Sequence, residues 1–553
     1  MSPLSDNPHT SRSPRSLGAT DARALSPAGF ALGNSRVLAA LCRREVVLPG
    51  GVLGAFETLR AEPFPWLLDS ALPQPGRGRY SFAGSDPYLV VRAFGQRVEL
   101  ECRRGVRPDL ELGHRTTICD PIEAIRCLLP RLPQPGRGTS SEPADDEVPF
   151  VGGAVGFLAY ELEVDPLASV QFHGRDDLQL PDLALLFVDR SLVFDHETDS
   201  AWVYGLGFDE SLEASGDAGL RDRRAALAAD ELVQRLEAAG VSRPHEEDER
   251  HDCATLAPEG PHAYRLRRHL LSTPQPRDLR TEVDEADYEK SVAEILDQIA
   301  AGNVYQGNLT QRMDVAYTGD TWPLYRRLRA LNPAPFAAYL SLPEVDILSS
   351  SPERFLRVEA GGTLESCPIK GTRPRGATPE LDAELASALA ASAKDGAENL
   401  MIVDLVRNDL GRVCQVGSIE VPQLMAIERY ATVFQMVSRV TGRLAPGRDA
   451  LDALRAAFPP GSMTGAPKIA AMRLLDRLEP TRRSAYSGAI GYLDVRGGVD
   501  LAVVIRTLIV TQGRAYLHVG GGVVADSEPM AEYRESLDKA RALWAALAGG
   551  TTA

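Results

Sequence analysis

Four stretches of this chain carry side chains whose types and spacing suit chemistry. The first is Cys367-Pro368-Ile369-Lys370-Gly371-Thr372-Arg373-Pro374, where one lysine stands between an apolar run and a Gly/Pro turn. Gly371 reaches backbone angles that other residues avoid and Pro374 fixes φ, so the lysine is held in place. It is either a turn charge at the surface or a placed nucleophile or base. The second, Asp395-Gly396-Ala397-Glu398, offers a carboxylate. Its competing reading is a capping box, with Asp395 as N-cap and Glu398 three residues on. The third is the C-terminal helical segment, where Glu532 and Glu535 share a face, although Glu535 and Lys539 also read as an ordinary i,i+4 ion pair. Two carboxylates on one helix face with a third from another helix suit an octahedral, oxygen-only Mg2+ site.

The fourth stretch set is an anion grip. Gly520-Gly521-Gly522 ends a strand whose bare N–H groups suit a carboxylate. Arg506 interrupts the apolar run Val503-Val504-Ile505-Arg506-Thr507. A charge there is costly unless paired or facing a ligand, and guanidinium matches a carboxylate bidentately. Lys468 and Lys539 add positive charge, while Tyr486 is either a core tyrosine or a further contact. His518 is the only histidine after residue 283, which argues against a His-based zinc site or a Ser-His-Asp triad in this half. No Walker A sequence occurs, so acid–base work falls to Glu, Lys and Mg2+.

The elements that must position these residues read as follows. Residues 1–35 are rich in Ser, Pro and Arg, the composition of a disordered tail. Residues 36–207 alternate short apolar strands with Gly/Pro turns, with a helix at Pro121–Leu129 and an exposed loop at 131–148. The glycines of Val151 to Leu162 suit close backbone packing better than a phosphate cradle, since the spacing is not GxGxxG. Residues 208–282 form a charged linker or insert, with a solvated helix over Arg221–Ala238 and a charged loop over Pro244–Arg250. Residues 283–547 open on a helix with Tyr288, Val292, Ile295, Leu296 and Ile299 on one face and Gly302 as its C′ residue. Strands at 304–315, 336–342, 345–349 and 354–358 follow, then the Lys370 turn and a helical block at 380–410. Strands at 486–494, 499–511 and 515–524 precede a helix at 529–546, which together predict an α+β domain with antiparallel sheets.

With 553 residues the chain has room for two or three domains. Its net charge of −16 disfavours nucleic acid and anionic membranes as general partners. The seven cysteines are widely spaced, with no CxxC, as expected of free thiols in a reducing cytoplasm. No apolar run approaches a membrane span and the N-terminus lacks a secretory h-region.

Taken together the stretches resemble the chorismate-utilising enzymes. The resemblance runs from about 283 to 545 through Ser350 to Phe355, Pro368 to Thr372, Ala397 to Asp409, Gly461 to Lys468, Gly488 to Tyr492, Ile505 to Thr507 and Gly520 to Glu535. More weakly, residues 36–207 resemble the N-terminal domain of anthranilate synthase and aminodeoxychorismate synthase large components, through Pro65 to Ser70 and Gly152 to Leu162. Leu67-Leu68-Asp69-Ser70 resembles an amino-acid-binding element of relatives, leaving tryptophan binding open.

The resemblance implies two large packed antiparallel sheets flanked by helices, with the site in a cleft. It implies Mg2+ held by Glu398, Glu532 and Glu535. It places Tyr486, Arg506, Gly520, Gly521, Gly522, Lys539, Gly465, Thr372 and Gln306 at substrate-binding positions, with Lys370 and Glu353 as catalytic residues. Water-using members carry lysine at the position of Gln306, so glutamine here implies ammonia as nucleophile. Anthranilate synthases typically read Pro-Ile-Ala-Gly where this chain reads Pro-Ile-Lys-Gly, the aminodeoxychorismate synthase pattern. That pattern implies amination of chorismate at C4, toward 4-aminobenzoate and folate or a specialised metabolite. Amination at C2 with loss of pyruvate is the alternative. One departure is Gln435, where relatives often carry histidine; glutamine hydrogen-bonds but moves no proton. The chain holds no Gly-x-Cys-x-Gly element, so a separate glutamine amidotransferase subunit is expected to supply ammonia.

Overall fold

The computed structural model describes residues 37–72, 76–132, 148–164, 170–209, 218–241, 273–276, 278–376, 378–430 and 433–548. The expected tail at 1–35, most of the loop at 131–148 and the charged loop Pro244–Arg250 lie outside them. The described residues belong to one compact unit built on two twelve-stranded sheets, in which every pairing of named strands is antiparallel.

The strands of 36–207 and those following 283 share both sheets. In the first sheet Trp66–Asp69 pairs with Phe336–Leu342, with Leu67 opposite Tyr339. In the second, Gly153–Leu158 pairs with Ala489–Asp494, with Gly156 opposite Gly491. The glycines of the 151–162 stretch pack both neighbours closely: a Cβ on Gly153 would stand 2.2 Å from the Leu493 carbonyl oxygen across this join, and one on Gly156 1.9 Å from that of Ala184 on the other side. The sheets meet through aromatic contacts, with Phe82 of the first and Tyr492 of the second 5.6 Å apart between ring centroids. Strands covered on both faces have no polar side to show, and Leu183–Val188 buries every residue.

Helices cover the outer face of the first sheet. Gly51–Leu59, Thr321–Leu331 and Pro529–Ala548 contribute Phe56, Trp322, Tyr325, Leu543 and Trp544 to one core with Leu67, Leu348 and Leu508. The helix Glu285–Ala300 buries Tyr288, Val292 and Ile295 against Leu309 and Val523 and ends as its sequence indicates, with Gly302 at φ 74°. No helix of the described residues is long and apolar enough to cross a membrane.

Two sequence expectations change. The helix read as solvated, Ala218–Ala238, buries Ala225, Ala229, Leu232 and Leu236. Alanines spaced along one face let it lie almost on the strand Ser200–Phe208. A Cβ on Gly205 would be 2.3 Å from the Ala225 carbonyl oxygen, and one on Gly207 2.0 Å from that of Arg221. The single strand expected at 499–511 is two, Val499–Val503 in the second sheet and Thr507–Thr511 in the first. Arg506 between them adopts φ 51°, a left-handed conformation that ends the ladder.

The close approach predicts that Gly207→Ala lowers stability by about 1–3 kcal/mol, because the helix must shift away from the strand. Urea denaturation checks this, and an unchanged midpoint would show that the contact is not tight in solution.

Candidate active site

Two adjacent connections carry the chain between the sheets. One runs from Val345–Ser351 to Arg354–Val358 and contains Glu353; the other runs from Val499–Val503 to Thr507–Thr511 and contains Arg506. They are hydrogen-bonded side by side: Ser350 N–H donates to the Arg506 carbonyl at 3.2 Å, and Val503 N–H to that of Glu353 at 3.0 Å. The loop before Ala489–Asp494 joins them, with Ser487 N–H donating to Val504 at 2.8 Å, and this brings in Tyr486. The two connections and this loop line a cavity of about 260 Å3.

The strand Arg514–Val523 and the helices Ala393–Gly411 and Pro529–Ala548 also line this cavity. Lys370 enters from the strand Ile369–Pro374, which is not the simple turn expected. It pairs with Val433–Arg443, but the register slips between Ile369 and Thr372, so Lys370 and Gly371 bulge. Gly371 at φ 87° makes the bulge possible, and its bare α-carbon packs against Asp395, where a Cβ would stand 2.9 Å from the Asp395 Cβ. Arg373 donates to Asp395 at 2.6 Å, pinning the bulge to the helix that carries Glu398. The capping-box reading of Asp395 and Glu398 is incorrect: Ser392 is the N-cap, accepting from Asp395 N–H, and Glu398 lies in the next turn. The Glu535–Lys539 pair is present at 2.9 Å.

The structure brings Lys370, Glu353, Thr372, Glu398, Tyr486, Arg506, Gly520, Gly522, Glu532, Glu535 and Lys539 to this one cavity. The glycine strand makes the room. A Cβ on Gly522 would stand 2.3 Å from the Gln306 amide nitrogen, 3.2 Å from Lys370 Nζ and 3.4 Å from Glu398 Oε2. A Cβ on Gly521 would stand 3.0 Å from Glu532 Oε2. Gln306 is fully buried behind Gly522, and both its amide atoms lack a partner. Gly465 does not reach the cavity. It pairs with Gly307, and a Cβ on it would stand 2.2 Å from the Gln306 carbonyl oxygen, so it seats that strand. Gln435 lines the cavity opposite Thr372, its amide oxygen unpartnered.

The electrostatics are uneven. Lys394, which the sequence reading missed although it lies one helical turn before Glu398, pairs with Glu532 at 3.2 Å. Ser527 also donates to Glu532, at 2.6 Å. Lys539 is held by Glu535 and by the Gly520 carbonyl at 2.8 Å. Lys370 and Arg506, by contrast, form no ion pair with the described residues. Burial lowers the pKa of Lys370, opposed by Glu398 and Glu353 and assisted by Lys539. Burial also lowers that of Arg506. Glu353 is pushed up to about 7 by burial, against the Ser462 hydroxyl, Lys370 and Arg506. Burial likewise raises Glu398, whereas Lys539 holds Glu535 below the usual range.

Glu398, beside Gly522, and Glu532 and Glu535, beside Gly521, all line the cavity, and three carboxylates are the donor chemistry of a hard divalent cation. As they stand, no three potential ligands among the described residues close on a common point, because lysines hold two of the three carboxylates.

A second cavity, of about 340 Å3, lies between the sheets and is lined by Leu68, Asp69 and Ser70 of the stretch noted in the sequence. The Asp69 carboxylate is already engaged by Arg329 and by the Tyr325 hydroxyl at 3.0 Å.

A two-sheet α+β fold with a cleft of this composition defines a class of enzyme. Residues 131–545 match the chorismate binding enzyme family, and the chain belongs to it. Among characterised relatives, the aminodeoxychorismate synthase of Streptomyces pristinaespiralis is 39% identical over 98% of this chain and 69% of its own. Aminodeoxychorismate synthase component 1 of Klebsiella aerogenes is 35% identical over 88% of this chain and 94% of its own. Anthranilate synthase component 1 of Mycobacterium bovis is 38% identical over 90% and 91%. The structure of anthranilate synthase component I from Streptococcus pneumoniae superposes with a TM-score of 0.64, covering 85% of this chain and 93% of that one at 28% identity.

Because burial lowers the Lys370 pKa, its amine is expected to react with cyanate at a lower pH than the side chain of Nα-acetyl-lysine added as a reference. Mass-spectrometric carbamylation profiles check this; identical pH profiles for the two amines would show that Lys370 is an ordinary charge.

Proposed function

We propose that this enzyme aminates chorismate at C4 to give 4-amino-4-deoxychorismate, the precursor of 4-aminobenzoate. The observation that carries the reading is Lys370: an amine bulged into the cavity, unpaired, with its pKa lowered, beside the unpartnered Gln306 amide and Glu398. Relatives named for both aminations are almost equally similar in sequence, so the choice between C4 and C2 rests on this side chain.

In the proposed mechanism Arg506, Tyr486 and the Gly520–Gly522 face hold the substrate's carboxylates. The neutral Lys370 amine attacks ring C2, the double bond shifts, and the C4 hydroxyl leaves as water with a proton from Glu353. Glu353 then accepts the proton from the new C2 ammonium. Ammonia attacks C4, the double bond shifts back, and the C2–N bond breaks to return the lysine, reprotonated by Glu353. Two allylic displacements leave the amino group on the face the hydroxyl held. Mg2+ held by Glu398, Glu532 and Glu535 would neutralise the ring carboxylate and offset developing charge. Gln306 excludes the water-activating role that lysine would give at its position. Gln435 hydrogen-bonds without moving a proton. Ammonia is proposed to arrive from a separate glutaminase subunit, in keeping with the component 1 naming of the Klebsiella relative, and the assembly is proposed to be cytoplasmic.

The test is product analysis of the purified chain with chorismate, Mg2+ and ammonium. The expected product gives 4-aminobenzoate only when a lyase is added; direct appearance of fluorescent anthranilate would overturn the C4 reading. Lys370→Ala is expected to abolish C4 amination while chorismate still binds, and unchanged product from that variant would remove the covalent step.

A pH profile follows from the same groups. The Glu353 acid is available below about 7 and lost as pH rises through it. The neutral Lys370 amine is lost as pH falls through its lowered pKa. The expected profile of kcat/KM is a bell, and Glu353→Gln should lower the rate and abolish the alkaline limb. An alkaline limb that persists in that variant assigns it to another group.

A further inference from the structure

One group in the cavity has no part in that mechanism. His518 lies on the strand Arg514–Val523, 4% exposed, with its ring lining the cavity. Strand alternation puts it on the same face as Gly520 and Gly522. Its imidazole lies parallel to the Tyr486 ring, with centroids 4.7 Å apart and planes 12° apart. Neither Nδ1 nor Nε2 has a hydrogen-bond partner. Asn308, which also lines the cavity, has an unpartnered side-chain nitrogen as well.

A buried donor or acceptor left unmet costs about 1–3 kcal/mol, and an imidazole carries two. A histidine that only filled space beside Tyr486 would gain nothing from its nitrogens and lose their hydration. Burial, with the charges of Arg312 and Arg483 adding to it, keeps the ring neutral, so one nitrogen is a donor and the other an acceptor. Tyr486 and Arg506 face the same space, and the Arg506 guanidinium lacks an anion among the described residues.

We infer that His518 is a ligand-binding residue: its N–H donates to the carboxylate of the ring substituent that Arg506 and Tyr486 hold, and its stack fixes the plane of Tyr486. The ligand class is a ring carboxylate bearing a second, flexible anionic arm. This rests on the proposed function, which supplies such a ligand in chorismate and its enolpyruvyl arm. It goes further by giving the arm a third contact, from a residue that the sequence marked only as the sole histidine after residue 283.

The test compares His518→Phe, which keeps an aromatic ring against Tyr486 but removes both nitrogens, with His518→Asn, which keeps a donor. Kd for chorismate is measured by calorimetry and kcat and KM by product analysis, with circular dichroism to verify folding. A hydrogen bond to a charged oxygen predicts that His518→Phe raises Kd and KM about tenfold or more with kcat little changed, and that His518→Asn recovers a large part. An analogue with the ring carboxylate but no arm should bind wild type and His518→Phe alike. The inference is overturned if His518→Phe binds chorismate as wild type does, if His518→Asn is no better than His518→Phe, or if the armless analogue loses affinity equally. A wild-type protein that does not bind chorismate overturns the proposed function as well, which separates the two failures.

Discussion

The backbone hydrogen bonds between the Glu353 and Arg506 connections are the constraint on which the rest of the site depends. Each connection leaves one sheet and enters the other, and they run alongside one another with Ser350 bonded to Arg506 and Val503 bonded to Glu353. A strand continuing straight through 504–506 would keep the arginine inside one sheet, facing apolar neighbours. The left-handed turn at Arg506 instead delivers the guanidinium to the gap between sheets. Holding a non-glycine residue there costs about 1–3 kcal/mol, which persists only where neighbouring bonds over-determine the conformation. Here the Ser487–Val504 bond supplies a third anchor and carries Tyr486 to the same place.

On that scaffold the charges divide into two kinds. Lys394 with Glu532 and Lys539 with Glu535 are paired, on the side of the cavity formed by the terminal helix. Lys370, Arg506 and Glu353 are kept unpaired by their placement at a bulge and at sheet crossings, where backbone rather than opposite charge decides position. Unpaired charges in a cavity are unstable to neutralisation, which is why burial lowers Lys370 and raises Glu353. The same burial that weakens the resting site therefore favours the neutral forms of both the Lys370 amine and the Glu353 carboxyl. The glycines of 520–522 are the complement: any side chain at Gly522 would displace Gln306 and press on Lys370.

Much of this was legible in the sequence because the site's residues lie in short stretches with distinctive neighbours. The α+β class and the terminal helix with its two glutamates were readable from residue type and spacing, and the family from the resemblance those stretches carry. What sequence could not give was the partition of strands between sheets. The run 499–511 is apolar apart from Asp500, Arg506, Thr507 and Thr511, and nothing local says that it changes sheets at 504–506. The helix at 218–238 read as solvated because its mean character is charged; its alanine face became meaningful only opposite Gly205 and Gly207. Lys394 was visible as the residue four before Glu398, but its partner comes from a helix more than a hundred residues away. His518 was noticed for the absence of other histidines, whereas its stack on Tyr486 depends on a strand and a turn brought together by the fold.

Selectivity between ring positions is the remaining physical question, and the relatives bear on it. Enzymes named for amination at different stages of the family are 35–39% identical to this chain over most of its length. Differences spread through the scaffold are then poor candidates for the choice, because the scaffold is shared. A single amine is a better one. Under the proposed function, ammonia would be the first group to reach the ring without a nucleophile at the Lys370 position; with it, the lysine would arrive first, because it already stands at the cavity wall. An enforced neighbour outcompetes a diffusing one by its effective concentration, which for a well-oriented group exceeds any attainable ammonia concentration. Under the proposed function, the bulge at Lys370 and Gly371 would thus act kinetically: it would take C2 first and leave C4 as the position at which ammonia completes the exchange.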